Sequence, residues 1–336
     1  MKTRLCDIAA QAGVSSATVS NALNNRPGVS PVVAERIWEI ACEMGYEPQK
    51  TRPDAERGYI RLIVYKSHGL IVMDTPFFSE LIESIQEECQ KDGLELVVSH
   101  IDSKQDPNYR RRIRECCEEH CAGILLLATE MNEEELKPFL DSTSPLLVLD
   151  NIFNHVDVPV LAINNYEAGS LATEALFDAG HRSIGHISSA VVFSNSRFRQ
   201  FGYEAVIQKH GLTASHWSVT PTVEGAYADM KALLETRNDL PTAFFADNDI
   251  MAVGCVRALT EKGYRVPEDV SMIGMDDTPL CLAGPRALST IRVYRREMGM
   301  TAVRILRSLL PDLTACAIKT EIGVSLVQRE SVKKLI

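Results

Sequence analysis

At 336 residues the chain exceeds one average domain and has length for two or three, each with a full hydrophobic core. An apolar fraction of 45% is ordinary for a water-soluble protein, and no apolar run reaches the ~18 to 20 residues that span a bilayer. The net charge of −10 excludes a nucleic-acid coat over the whole surface; residues 1–30, however, set Lys2, Arg4 and Arg26 against Asp7 alone and residues 1–57 are balanced, so only the amino-terminal segment is fit to approach DNA.

Two short helical patterns open the chain and meet at Ala12-Gly13-Val14. Ile8, Ala9 and Ala12 form one small apolar face, and Val19, Ala22 and Leu23 form another. Gly13 supplies the positive φ of a tight interhelical turn, and Ser15 is a good N-cap for the second helix. A third amphipathic helix begins at Pro31 after Ser30. This is a helix-turn-helix. The outer side of its second helix carries Ser15, Ser16, Ala17, Thr18, Ser20, Asn21 and Asn24. These are short groups without a carboxylate, suited to phosphates and major-groove base edges.

Residues 49–58 lose apolar periodicity and become charged, which marks a linker. From Ile60 onward, apolar strands alternate with amphipathic helices. Strands are predicted at Ile60–Tyr65, Leu94–Ile101, Gly123–Ala128, Leu146–Leu149, Leu161–Ile163, Ile184–Ser188, Thr242–Ala246 and Val270–Met275. The helices between them complete a βαβ rhythm, and about ten strands in all are too many for one comfortable twisted sheet. Two lobes with a cleft between them are expected, lined by the loops beyond the carboxyl ends of the strands. Asp150, Asn248 and Asp276 stand at such ends as candidate ligand contacts. Asn164, Asp249 and Asp277, also at strand ends, are read as caps of the following helices.

The run DIAAQAGVSSATVSNALNN, followed by ERIWEIACEMGYEP, resembles the amino-terminal domain of the LacI/GalR family of bacterial repressors. Later motifs extend the resemblance over nearly the whole chain. Arg199-Gln200-Phe201-Gly202-Tyr203 resembles the family's arginine-glycine-aromatic motif. Thr242–Asp249 and Gly274–Asp277 resemble two further motifs, with Met275 in place of the usual aromatic. Thr75-Pro76-Phe77-Phe78 matches the segment that sets a ring against the ligand.

The fold class this implies is α + α/β: a three-helix DNA-binding domain at 1–48, an atypical linker at 49–58, and a periplasmic-binding-protein-like effector domain at 59–336. Its first lobe would hold 59–160 and 291–318, and its second 161–290 and 319–336. The effector residues implied are Phe78, Asp150, Phe193, Asn195, Arg199, Asn248 and Asp276, with Arg199 paired to Asp276 and Asp150. The family's hinge helix usually carries an Ala-Arg-Ser-Leu run; Pro53, Asp54, Ala55 and Glu56 stand there instead, and the wedge leucine is absent.

The function implied is a cytoplasmic transcriptional repressor. As a homodimer it would read double-stranded operator DNA, with Ser16, Ala17 and Asn21 facing bases and the others holding phosphates. Its effector is a small molecule, a sugar first, with nucleosides, other metabolites or a partner protein as alternatives. Dimer contacts would involve the helices at 78–90 and 298–309. No metal and no cofactor is expected. Nine cysteines without an export signal fit reduced thiols, and Cys116, Cys117 and Cys121 read as core packing. The Gly180-His181-Arg182 turn reads as a helix C-cap. No phosphate loop, GxSxG elbow or HExxH appears, so no enzyme is expected.

Overall fold

The computed structural model describes residues 5–23, 29–30, 33–34, 36–37, 40–41, 44, 58–72, 76–309 and 317–335. It divides into two units, Met1–Arg57 and Gly58–Ile336.

In the first unit, α1 (Leu5–Ala12) and α2 (Ser16–Leu23) are joined by a turn in which Gly13 has φ 70°. The Val14 amide bonds back to the Ala9 carbonyl at 3.1 Å. Ser15 Oγ accepts from the Thr18 amide at 3.0 Å, which satisfies one of the donors left over at a helix start. Ile8, Ala9, Val19 and Ala22 are buried together with Ile37 and Ala41 of a third helical segment. The small residues foreseen at the crossing therefore form its core. The Cys6 side chain and Cys42 lie outside the described residues.

The second unit holds two six-stranded sheets. The first runs β11-β5-β4-β3-β1-β2, from β1 (Tyr59–Lys66), β2 (Glu95–Asp102), β3 (Gly123–Leu127), β4 (Leu146–Leu149), β5 (Val160–Ile163) and β11 (Lys319–Ile322). The second runs β12-β10-β9-β8-β6-β7, from β6 (Ile184–Ser189), β7 (Ser215–Val219), β8 (Ala243–Ala246), β9 (Ser271–Asp276), β10 (Ser289–Val293) and β12 (Val324–Val327). Every pairing is parallel except β10 with β12. Strands β3, β5 and β8 are buried along their whole length, as parallel strands covered on both faces require.

This topology corrects the expected lobe boundaries. β5 pairs with β4, so residues 161–163 belong, like 160, to the first lobe and not the second. β10 pairs with β9, so the return to the first lobe comes after Val293 and not at 291. β11 pairs with β5, so residues 319–322 also belong to the first lobe, and only β12 onward to the second. β7, β10, β11 and β12 were not foreseen. β7 and β11 are half-exposed edges, while β10 and β12 mix Ser, Thr and Arg with their apolar residues.

The helices cover both faces: α3 (Pro76–Lys91), α4 (Tyr109–Glu118), α5 (Glu133–Leu136), α6 (Asn165–Asp178), α7 (Ser194–Lys209), α8 (Val223–Thr236), α9 (Asp249–Glu261) and α10 (Arg295–Ser308). α6 and α7 approach backbone to backbone. A Cβ on Gly169 would fall 2.0 Å from the Arg199 carbonyl oxygen, and one on Gly202 would fall 2.1 Å from that of Tyr166. The glycine of the arginine-glycine-aromatic motif is thus a packing requirement. α10 lies along α3, joined by the ion pairs Arg295–Glu80 at 2.6 Å and Arg304–Glu88 at 2.9 Å. Cys116, Cys117 and Cys121 pack with Ile113, Ile101 and Phe139 under the first sheet, and burial pushes the Cys117 thiol up to about 12. Among the described residues no helix is long and apolar enough to cross a membrane, and no three or more His, Cys, Asp or Glu side chains are grouped so as to hold a metal ion.

Candidate functional site

On the amino-terminal helix-turn-helix unit, Ser15 and Ser16 are exposed and Thr18, Ser20 and Asn21 are half-buried. The Ser15 and Thr18 hydroxyls lie 2.8 Å apart, so part of their bonding capacity stays within the cap. The Ala17 side chain, Asn24 and linker residues 49–57 lie outside the described residues.

In the second unit, a cavity of about 60 Å³ is lined by Phe78, Asp150, Phe193, Asn195, Arg199, Asn248 and Asp276. The structure therefore brings together all seven of the effector residues named from the sequence. It adds Ile71, Phe77, Thr129, Ile163, Asp247 and Ile250. The side chains come from β-strand ends and helix starts in both lobes, where open parallel sheets leave a crevice.

Asp150 follows β4 directly with φ 58°, and Asp276 ends β9 with φ 108°. Positive φ at a residue with a Cβ is strained, and such strain gathers at binding sites where the surroundings enforce it. Asp150 accepts from Thr129 Oγ1 at 2.7 Å and from Asn195 Nδ2 at 3.0 Å. Burial nevertheless raises its carboxyl to about 6, against those bonds and the nearby Arg199 charge. Asp276 is raised well above the ordinary range, first by burial and then by repulsion from Asp249. Arg295 donates to the backbone carbonyls of both Asp276 and Asp277, which fixes the turn that presents Asp276 to the cavity.

Arg199 pairs otherwise than expected. Its Nε donates to Asp247 at 3.2 Å and its Nη1 to Asn165 Oδ1 at 2.8 Å, with Met275 Sδ at 3.6 Å and the Phe193 ring beneath it at 5.5 Å. Asp150 and Asp276 feel its charge without bonding it. Asp247 is the more saturated acceptor, taking bonds also from His186 Nε2 at 2.9 Å, the Ser189 amide at 3.1 Å and the Ser196 hydroxyl. Burial alone would raise Asp247; the Arg199 charge and the His186 and Ser196 bonds outweigh it and hold the carboxyl down to about 2. Asp247 stands first after β8, the one signal by which sequence reasoning could have chosen it over its neighbours.

The cap assignments divide. Asn164 caps α6 through the Glu167 amide at 2.9 Å, as read. Asn248, read as a ligand contact, caps α9 through the Met251 amide at 2.9 Å while it also borders the cavity. Asp249 does not cap; its buried carboxylate ties Thr278 Oγ1 at 3.0 Å to Thr290 Oγ1 at 2.6 Å. Asp277 does not cap either, and pairs with Arg292 at 2.7 Å and Arg329 at 2.5 Å. At the end of α6, Gly180 takes φ 98° and Arg182 donates to the Phe177 carbonyl at 2.9 Å.

A helix-turn-helix unit and a two-lobed domain closed around a polar cavity, in one chain, define a ligand-responsive DNA-binding regulator. Residues 4–49 match the family described as bacterial regulatory proteins, lacI family, and residues 173–332 the periplasmic binding protein-like domain. The HTH-type transcriptional repressor PurR of Mannheimia succiniciproducens is 30% identical over 98% of each chain. The ribose operon repressor of Haemophilus influenzae is 31% identical over 89% of this chain and 90% of its own. A lac repressor dimer solved with operator and the anti-inducer ONPF shares the fold at a TM-score of 0.74 and 23% identity, over 99% of this chain and 100% of that one. The chain belongs to the LacI/GalR family of bacterial transcriptional regulators, and it is a DNA-binding repressor governed by a small-molecule effector.

Proposed function

We propose that the effector is an uncharged monosaccharide of pentose or hexose size, held by Asp150, Arg199, Asn195, Asn248 and Asp276 against Phe77 and Phe78. The observation that carries this is the charge balance of the lining: three aspartates, Asp150, Asp247 and Asp276, face one arginine, and that arginine is already bonded to Asp247. A ligand entering between Asp150 and Asp276, whose carboxyls burial drives toward their protonated forms, meets no place for a negative charge. Sugar hydroxyls can donate to or accept from either form of such a carboxyl, while ring faces cover the C–H surface. The relative named as a ribose operon repressor makes D-ribose the first compound to try. A thermal-shift screen of pentoses, hexoses, nucleosides, purine bases and sugar phosphates tests this. Stronger stabilisation by a sugar phosphate than by its parent sugar would overturn it.

Operator recognition is assigned to α2 of two protomers acting in the cytoplasm. Ser16, Ala17 and Asn21 face base edges, and Ser15, Thr18, Ser20 and Asn24 hold phosphates. The homodimer would use α3 and α10. Effector binding would then shift operator affinity by a coupling energy of about 1–3 kcal/mol. No chemistry is assigned to the cleft.

A further inference from the structure

β1 ends at Lys66, and the six residues that follow turn around a single carboxylate. The backbone N–H groups of Ser67, His68 and Gly69 each donate to Glu130 Oε2 at 2.9 Å. Those of Ile71 and Val72 donate to Oε1 at 2.9 and 2.8 Å. The remaining amide, Leu70, donates to His68 Nδ1 at 3.2 Å. Every N–H from 67 to 72 is thus satisfied, five of the six by one side chain. A carboxylate offers about four lone-pair directions, so Glu130 is filled to capacity. It is 7% exposed, and burial would push its proton affinity up; the amides of His68, Val72, Gly69 and Ile71 outweigh that and hold it below the usual range. Glu135, five residues on, takes the Ser67 hydroxyl at 2.8 Å and the Tyr65 hydroxyl at 3.1 Å, which ties the loop to the end of β1.

This loop bears directly on the cleft. Ile71 lines the inner cavity of about 60 Å³. Ser67, His68 and Glu130 line an adjoining recess of about 540 Å³, bounded also by Arg197, Phe198 and Phe201. Phe193 borders both spaces. Loop 67–72 is therefore part of the partition between them, and without Glu130 its amides would have no common acceptor.

We infer that Glu130 is a positioning residue for the effector: a built-in anion that folds loop 67–72 into a wall of the cleft, so that Ile71 stands formed before ligand arrives. This rests on the reading of the cleft as the effector site. It goes beyond that reading in assigning a binding role to a side chain absent from the inner cavity's lining.

The test uses the full-length protein, its E130A and E130Q variants, hydrogen–deuterium exchange at residues 67–72, and calorimetry with D-ribose as the probe. Both variants should exchange about tenfold faster across this loop while the strands stay protected. Both should bind ribose about tenfold more weakly, because the wall then has to be ordered on binding. Sodium formate, small enough to replace the lost carboxylate, should restore protection and ribose affinity to E130A, and sodium chloride at equal ionic strength should not. Should E130A fail to fold, E130Q keeps the volume and loses an acceptor. Unchanged exchange in the loop overturns the proposal, and so does a loosened loop with undiminished ribose affinity. If wild-type protein ignores ribose, the ribose assignment falls, and the exchange and formate results decide the role of Glu130.

Discussion

The Asn195 side-chain amide donates both to the Asp150 backbone oxygen at 3.1 Å and to its Oδ1 at 3.0 Å, so one group on α7 of the second lobe holds the strained residue that follows β4 of the first. Asn195→Ala removes both bonds across the cleft. The closed form should lose about 1–3 kcal/mol, and thermal denaturation of the ligand-free protein measures it. Denaturation midpoints equal to wild type would show that this bond does not hold the lobes.

The same carboxyl predicts a pH dependence. Asp150 binds its proton more tightly folded than unfolded, at about 6 against 3.8. Its favourable contribution is complete below the unfolded value and disappears as pH rises through the folded one, a change of about 3 kcal/mol. Asp150→Asn cannot ionise. Relative to wild type, the variant should therefore gain stability between about pH 4 and pH 7. Denaturation curves at several pH values give this difference, and a flat one refutes the assignment.

Arg199→Met leaves Asp247 buried with its main countercharge gone. Breaking a buried pair in this way costs about 3–5 kcal/mol. Since Asp247 is held near 2 partly by that charge, the loss should be smallest in acid, where the carboxylate can protonate. Chemical denaturation at about pH 4 and pH 7 is the measurement.

Gly202→Ala would drive a methyl into the Tyr166 carbonyl. Overpacking of this kind costs about 1–3 kcal/mol. Because Arg199 rides on the same helix, effector affinity should fall with stability, whereas Gly211→Ala, at a turn with φ 64° and open space, should lower stability alone.

On DNA, Asn21→Ala should cost about 1–3 kcal/mol at one base position and flatten the preference there. Binding-site selection with both proteins measures this; an unchanged preference would move base reading away from Asn21.

The βαβ order and, at the cavity, Asp150, Asn248 and Asp276 were legible because burial writes itself as apolar runs and the polar residues that interrupt them fall at strand ends. Phe78, Phe193, Asn195 and Arg199 were reached only through the resemblance to the LacI/GalR family. Strand-end polarity alone could not say which acid does what. Asn248, Asp249 and Asp277 differ only in what they meet in three dimensions: an amide of their own helix, two distant threonines, two arginines. The Arg199–Asp247 pair was hidden for the same reason, since both lie on elements forty-eight residues apart. Glu130 was invisible because its partners are backbone amides, which leave no trace in side-chain identity. The lobe boundaries slipped at β10 and β11 because their polar residues weaken the hydrophobic signal, and at β5 because an apolar run reveals a strand but not the sheet it joins.

The chain passes between its two sheets three times, after β5, after β10, and between β11 and β12, where Gly323 alone separates the strands. Mechanically, three short ties side by side suppress sliding and leave one easy rotation. That rotation needs torsional change at only a few residues and disturbs no strand pairing within either sheet. A ligand in the cleft then works on a single degree of freedom, and whatever it gains by touching both walls goes into setting one angle.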